Sequence, residues 1–479
     1  MSTEVDGREL RQEPPGPSYS GWQAKIADYF KFDFYQTNFR IETFAGLTTF
    51  MTMAYILVVN PLILSDAIFL SQPKDLFAEQ VFATAISAAI ATLVMAFVAR
   101  YPFALAPGMG LNAFFTYSVV LTLGFDWRLA LSAVFVEGLI FIALTLSSVR
   151  SQIVNAIPLS LKSATAVGIG MFIAYIGLSG DPKVGGAGII IASEVTKTTL
   201  GSFREPATLL AVTGILVTTG LLVKRVKGAL LWGILLTAWL GWIFGVSPWP
   251  KGLLQFPAFP VDLFGQSLVG FSKMTGSNVL DFVAVLLVFL FVDLFDTVGT
   301  LSGVGMKAGY IRADGSLPRV NQALFADAVG TTVGAIVGTS TVTTYAESAA
   351  GVSEGGRTGF TALVTGLLFI LAIFFVPLFE AIPAYATTPA LVVTGVLMMT
   401  AALDIQWDDV TEAIPAFLTI FFIPFAFSIA SGLSIGFIVY PFAKALQGRA
   451  KEVSIATWLL AGLFIARFVF MTLRFGTAE

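Results

Sequence analysis

Phe103-Ala-Leu-Ala-Pro-Gly-Met-Gly-Leu-Asn-Ala-Phe-Phe115 lies in an apolar segment, yet its first half carries Pro107, Gly108 and Gly110. Proline removes a backbone donor and glycine adds backbone freedom, so that half is a poor helix. A second segment, Gly338-Thr-Ser-Thr-Val-Thr-Thr-Tyr-Ala-Glu-Ser-Ala-Ala350, opens on a Thr-rich, β-like run. A helix is expected there only from about Tyr345 onward. Extended backbone at membrane depth is tolerated only where protein or a water-filled cavity surrounds it. Each broken segment therefore frees backbone N–H groups at a half-helix N-terminus, ready to meet a polar solute.

The surroundings of both segments are membrane-like. The 479 residues are 56% hydrophobic and 12% charged, where soluble domains carry roughly 25% charge. Mean hydropathy is +0.85. Apolar segments lie near 43–63, 80–99, 103–122, 127–147, 157–179, 207–223 and 228–246. After a polar, Pro-rich gap a second set lies near 280–302, 321–338, 340–352, 359–379, 385–403, 411–428 and 431–446. These lengths suit membrane spans and exclude a soluble enzyme, a nucleic-acid binder and a disordered scaffold. Each broken segment is third in its set. Val136-Glu-Gly-Leu-Ile-Phe-Ile142 matches Val364-Thr-Gly-Leu-Leu-Phe-Ile370 at five of seven positions, offset 228, and Ile157-Pro158 recurs as Ile382-Pro383, offset 225. An odd number of spans per repeat turns the second copy upside down. The expected fold is an all-α polytopic membrane protein of 14 transmembrane segments, a seven-plus-seven inverted repeat with short extended stretches in spans 3 and 10. In such a repeat the site lies between the copies near mid-membrane.

Sorting the 27 lysines and arginines by loop leaves only Lys74, Arg128, Lys183, Lys197, Arg204, Lys251 and Lys273 outside when the N-terminus is inside. That excess places both termini in the cytoplasm of a cell-membrane protein. Residues 1–42 read as a polar, Pro-rich tail without a signal peptide, followed by an interfacial lead-in. Residues 447–479 read as a cytoplasmic tail whose apolar stretch, 453–473, is a basic surface helix rather than a fifteenth span.

Intramembrane charges are costly and usually functional. Glu137, Asp293, Asp296 and Glu347 stand out. Asp293 and Asp296 are three residues apart, about one helical turn, and 280–302 holds no basic residue. Two neighbouring carboxylates without a cation favour holding one proton between them. With no histidine or cysteine in the chain, a carboxylate is the natural proton carrier. Glu347 sits where the half-helix of span 10 begins, a favourable place for an anion. Asn112 is the single amide of the first broken segment, and Asp327 reads as structural. No metal or cofactor set is apparent.

Four motifs in order, Phe44-Ala-Gly-Leu-Thr-Thr-Phe-Met-Thr-Met-Ala-Tyr-Ile-Leu-Val-Val-Asn-Pro61, Ala106-Pro-Gly-Met-Gly-Leu-Asn-Ala-Phe114, Phe291-Val-Asp-Leu-Phe-Asp-Thr-Val-Gly-Thr300 and Thr343-Thr-Tyr-Ala-Glu-Ser-Ala-Ala-Gly-Val352, resemble the AzgA-like purine permeases of the nucleobase–cation symporter-2, or nucleobase/ascorbate transporter, superfamily. The resemblance covers roughly residues 40–450. It implies a core domain of spans 1–4 and 8–11 (43–147 and 280–379) moving like an elevator against a gate domain of spans 5–7 and 12–14 (157–246 and 385–446). It also implies a homodimer, a purine nucleobase as substrate and a proton as coupling ion. Carried over, Asp293 and Glu347 resemble the substrate-binding acids, Asn112 the span 3 amide that shapes the site, and Asp296 the carboxylate of proton coupling, a role Asp293 could share. Thr52 of the first motif and Phe115 and Tyr345 of the broken segments complete the expected site, with Phe114 and Phe295 as further stacking candidates. The first-span string favours guanine and hypoxanthine, with adenine possible.

Rival readings remain at this level. An anion transporter of the same fold is disfavoured because spans 3, 8 and 10 hold acids and no Lys or Arg. An intramembrane protease using Asp293 and Asp296 is disfavoured because both sit on one helix. A channel is not separated by sequence.

Overall fold

The computed structural model describes residues 19–146, 158–276, 278–312 and 317–475. The far N-terminal tail, Ile157 of the repeat and the last four residues lie outside the described residues. Span 1 is Phe39–Leu64, followed by span 2, Phe77–Ala99. Span 3 combines β1, Leu105–Pro107, with helix Met109–Thr122. Spans 4 to 7 are Trp127–Leu146, Leu159–Leu178, Pro206–Val223 and Ala229–Ile243. A hairpin of β2, Ile190–Ser193, and β3, Lys197–Leu200, lies between spans 5 and 6. The second set runs Val279–Lys307, Val320–Val337, then β4, Val342–Thr344, with helix Ser348–Ser353 as span 10. Spans 11 to 14 are Gly359–Glu380, Ala384–Asp404, Val410–Phe425 and Ile429–Leu446. A last helix, Ile455–Phe475, packs on span 14, with Phe437 and Phe464 in contact.

Local signals set the helix ends. Asn38 caps span 1 by accepting from the Ile41 N–H, and Ser428 caps span 14 through the Ser431 N–H. Pro206 opens span 6 at a position where its missing donor costs nothing. Gly338, at φ 101°, ends span 9 in the left-handed region and lets β4 begin. Glu42, fully buried in the first turn of span 1, accepts from the backbone N–H groups of Arg357, Thr358 and Thr361 and from the Thr361 hydroxyl. It thereby satisfies the Arg357 and Thr358 donors just ahead of span 11, while the Thr361 N–H also reaches the Thr358 carbonyl.

The repeat reappears in the packing. Gly138 of span 4 lets Thr332 of span 9 approach, and Gly366 of span 11 lets Leu93 of span 2 approach. These are the matched glycines of the two V-x-G-L-x-F-I strings, in spans of equal ordinal place. Span 5 lies against spans 12 and 13, with Gly168 on Ile423, Gly170 on Met398 and Gly177 on Leu391. Two packed groups result, meeting where Gly110 of span 3 faces Ile169 of span 5. At one end of spans 13 and 14 the buried Lys444 amine sits 2.8 Å from Glu412 and 3.5 Å from Asp409. Hydrogen bonds from Thr411 and Arg449 hold the Asp409 carboxyl well below the usual carboxylate range.

Candidate functional site

The two broken segments meet. β1 pairs antiparallel with β4 in the register Leu105↔Thr344, Ala106↔Thr343 and Pro107↔Val342. The Gly108 N–H donates to the Thr341 carbonyl at 2.9 Å, and the Tyr345 N–H donates to the Ala104 carbonyl at 3.0 Å. A β-carbon at Gly108 would stand 3.0 Å from the Thr343 side chain, so glycine permits the close crossing.

A two-stranded pair leaves two unpaired edges, which lipid cannot satisfy. Threonines of the preceding spans supply the partners. The Thr92 hydroxyl of span 2 accepts from the Leu105 N–H at 3.0 Å and donates to the Leu105 carbonyl at 3.1 Å. The Thr331 hydroxyl of span 9 does the same for Val342, at 3.2 and 3.1 Å. Spans 2 and 9 are equivalents in the repeat, so one device is used twice. Glu137 of span 4 accepts from the Thr341 hydroxyl at 2.7 Å, which fixes the start of β4. The Tyr345 hydroxyl donates to the Pro107 carbonyl at 2.5 Å.

A cavity of about 750 Å³ opens beside this junction. Gly108, Thr343, Thr344, Tyr345, Asp296 and Glu347 line it on one side, and Ile169, Thr394 and Met398 face it from spans 5 and 12. Its exposed lining residues, such as Leu159, Gly303 and Asp404, lie where span 5 begins and spans 8 and 12 end. The mouth therefore opens on the side from which the chain enters span 1.

The opposite end is closed. Phe427 packs on Phe172 and Tyr175, each at 5.3 Å between ring centroids, and its carbonyl accepts from the Ser118 hydroxyl at 3.2 Å. Tyr117 of span 3 donates to Asp66 at 2.9 Å. Burial pushes the Asp66 carboxyl up from its ordinary value.

Of the residues singled out from sequence, Glu347, Tyr345 and Asp296 line the cavity. Asp293 is fully buried behind the wall, where its Oδ1 accepts from the Thr297 hydroxyl at 3.3 Å. That hydroxyl also lies 2.8 Å from Asp327 Oδ1, which joins spans 8 and 9. Leu294 clusters with Phe141 of span 4 and Ala328 of span 9, two positions along the helix from the cavity-facing Asp296. Asn112 is buried outside the lining, its Oδ1 accepting from the Ser340 hydroxyl and its amide nitrogen without a partner among the described residues. Phe115 is fully buried away from the cavity, and Phe114 stands edge-on to Phe289 of span 8. The Thr52 hydroxyl lies within span 1, 2.8 Å from the Thr49 carbonyl and 3.5 Å from the Glu347 carbonyl. The side chain of Phe295 lies outside the described residues. Glu347 stands at the N-cap position of its short helix but makes no capping bond with its side chain. Instead Glu347 Oε1 accepts from the Tyr55 hydroxyl at 2.8 Å.

Sequence reasoning missed Tyr55, Lys162 and Asp404, all of which line the cavity. Tyr55 is quoted within the first motif, but no charge or broken segment marks it. Lys162 and Asp404 sit near span ends, where charges are ordinary.

A family model described as a permease family, named for xanthine and uracil permeases, matches residues 40–435. The guanine/hypoxanthine permease PbuG of Bacillus subtilis is 44% identical over 92% of this chain and 99% of its own. The adenine permease AdeP of Escherichia coli is 38% identical over 94% and 97%. Among solved structures, the transmembrane domain of a cyanobacterial bicarbonate transporter, BicA, aligns over 82% of this chain and 97% of its own with a TM-score of 0.59 at 16% identity. That likeness shows the fold, a helical transporter with inverted repeats.

Proposed function

Since the chain belongs to the permease family of xanthine and uracil carriers and is a membrane nucleobase permease rather than an enzyme, we propose that it imports purine bases, guanine and hypoxanthine first, by proton symport. The observation that carries this reading is the polar end of the cavity, where Asp296 and Glu347 stand beside the β1–β4 junction. Guanine offers N1–H, a 2-amino group and N9–H as donors, and hypoxanthine offers N1–H and N9–H. Two carboxylates accept such donors.

A neutral purine leaves this negative charge uncompensated, so its binding favours uptake of a proton at the acids. Asp296 takes that role in our reading, with the Asp293–Thr297–Asp327 chain behind it. Spans 1–4 and 8–11 form the moving core, and spans 5–7 and 12–14 the gate. Lys227 of the gate and Glu354 of the core, 2.6 Å apart, mark one edge of their boundary. Both termini face the cytoplasm, so the cavity opens inward. The apolar outer faces of spans 7 and 13, which expose Trp232, Trp239, Phe417 and Phe421, suit the bilayer and a second copy in a homodimer.

An anion substrate is the rival reading on fold alone. The cavity carries Asp296, Glu347 and Asp404 against the one amine of Lys162, and this balance favours a neutral ligand. The test is binding of radiolabelled guanine, hypoxanthine, adenine, xanthine and uracil to wild type and to Glu347→Gln. The amide sets a donor against the ring's own donors, and an unpaired buried donor costs about 1–3 kcal/mol. Guanine affinity should fall roughly tenfold to a hundredfold. Binding within threefold of wild type removes Glu347 from the site.

A further inference from the structure

The geometry points to Tyr55 as a positioning residue: it presents Glu347 to the purine and so sets the preference for bases that carry N1–H over adenine. This inference rests on the purine reading above and deepens it. Tyr55 stands at an interruption of span 1, between helices Phe39–Met53 and Ile56–Leu64. Its ring is fully buried, and its hydroxyl reaches across to Glu347 Oε1 at 2.8 Å. One turn earlier the Thr52 hydroxyl lies 3.5 Å from the Glu347 carbonyl. Two residues of span 1 thus approach both ends of one acid in span 10.

The helix that Glu347 precedes does not hold its carboxylate, because the side chain makes no capping bond. The hydroxyl of Tyr55 does. It occupies one acceptor site of Oε1 and, together with the residue's own backbone N–H, restrains the carboxylate while other lone pairs face the cavity. A carboxylate fixed in this way matches two parallel donors, as in the N1–H and 2-amino edge of guanine. Hypoxanthine satisfies it with N1–H alone. Adenine presents N1 as an acceptor beside its 6-amino group, so a fixed carboxylate meets one donor and one lone pair that repels it. A carboxylate free to rotate can offer a single oxygen to the amino group and avoid that repulsion. Discrimination therefore depends on the rigidity that Tyr55 supplies, whereas a loss of packing alone would weaken all bases together.

The experiment measures guanine, hypoxanthine and adenine affinities in wild type, Tyr55→Phe, Glu347→Gln and the double variant, each checked for monodisperse folded protein. Tyr55→Phe keeps the ring and deletes the hydroxyl. Guanine affinity should fall about tenfold while adenine affinity changes less than threefold, so their ratio shrinks. In the Glu347→Gln background the same substitution should have no further effect. If Tyr55→Phe fails to fold, Glu347→Asp provides the second arm. Its shorter side chain withdraws the carboxylate from Tyr55 and should shrink the ratio likewise. A guanine-to-adenine ratio unchanged in the folded variants, or an equal loss for every base, overturns the positioning role while leaving the purine reading intact. Wild type that binds none of these bases overturns both.

Discussion

Glu347 and Asp296 show how one residue's role depends on neighbours far away in sequence. Both are legible from sequence as intramembrane acids, because a carboxylate in an apolar segment is too costly to be incidental. What is not legible is which aspartate of the span 8 pair faces the cavity. Residues three apart on a helix differ in direction by about 60°. Which one turns inward depends on how span 8 packs on spans 4 and 9, where Leu294 clusters with Phe141 and Ala328. Tyr55 is hidden for a different reason, since aromatic residues make up 13% of the chain and nothing local distinguishes this one. Asp296→Asn should keep measurable purine binding, because Glu347 and the β1–β4 junction remain, but should lose uphill uptake. Equilibrium binding beside transport in vesicles checks it, and retained accumulation would remove Asp296 from coupling. Glu42→Ala tests a structural acid. It strands the backbone donors of Arg357 and Thr358, at about 1–3 kcal/mol for each unsatisfied group. A thermal shift assay in detergent should show a clear drop in midpoint temperature.

At the scale of elements, the broken segments of spans 3 and 10 were legible through Pro107, Gly108, Gly110 and the threonine run. Their pairing as adjacent strands was not, because register depends on how two distant segments dock. Nor were Thr92 and Thr331, since threonine is common in spans and its back-bonding partner is set by the fold. Their equivalence yields a paired prediction. Thr331→Val and Thr92→Val each keep the side-chain shape but leave the N–H of Val342 or Leu105 unsatisfied. Each should cost about 1–3 kcal/mol of stability and lower transport to a similar degree. Thermal midpoints and initial uptake rates of the two variants, compared side by side, check it. A large loss in one and none in the other would break the claimed symmetry.

At the scale of the molecule, the seven-plus-seven count and the inversion followed from segment lengths and from the near-constant offset between matched strings. The conformation did not, because one sequence encodes both ends of a transport cycle. The structure is closed where Tyr117, Phe172, Tyr175 and Phe427 meet, and open where span 5 begins. Phe427 holds φ at 49°, a left-handed conformation uncommon for a bulky side chain, at the point where Ser118 grips its carbonyl. The chain has no cysteine, so introduced thiols report without background. A short bifunctional thiol reagent bridging Ser118→Cys and Phe427→Cys should arrest transport, and reductive release should restore it. Undiminished uptake after complete cross-linking would show that this contact does not open. Proton-driven purine import through this cavity can be measured by reconstituting the purified protein in sealed vesicles and imposing a proton gradient. With the outside more acidic, radiolabelled guanine and hypoxanthine should accumulate above equilibrium, and a protonophore should collapse that accumulation. Uptake sustained by a sodium gradient with protons equilibrated, or an inert response to purines alongside transport of bicarbonate or sulfate, would contradict it.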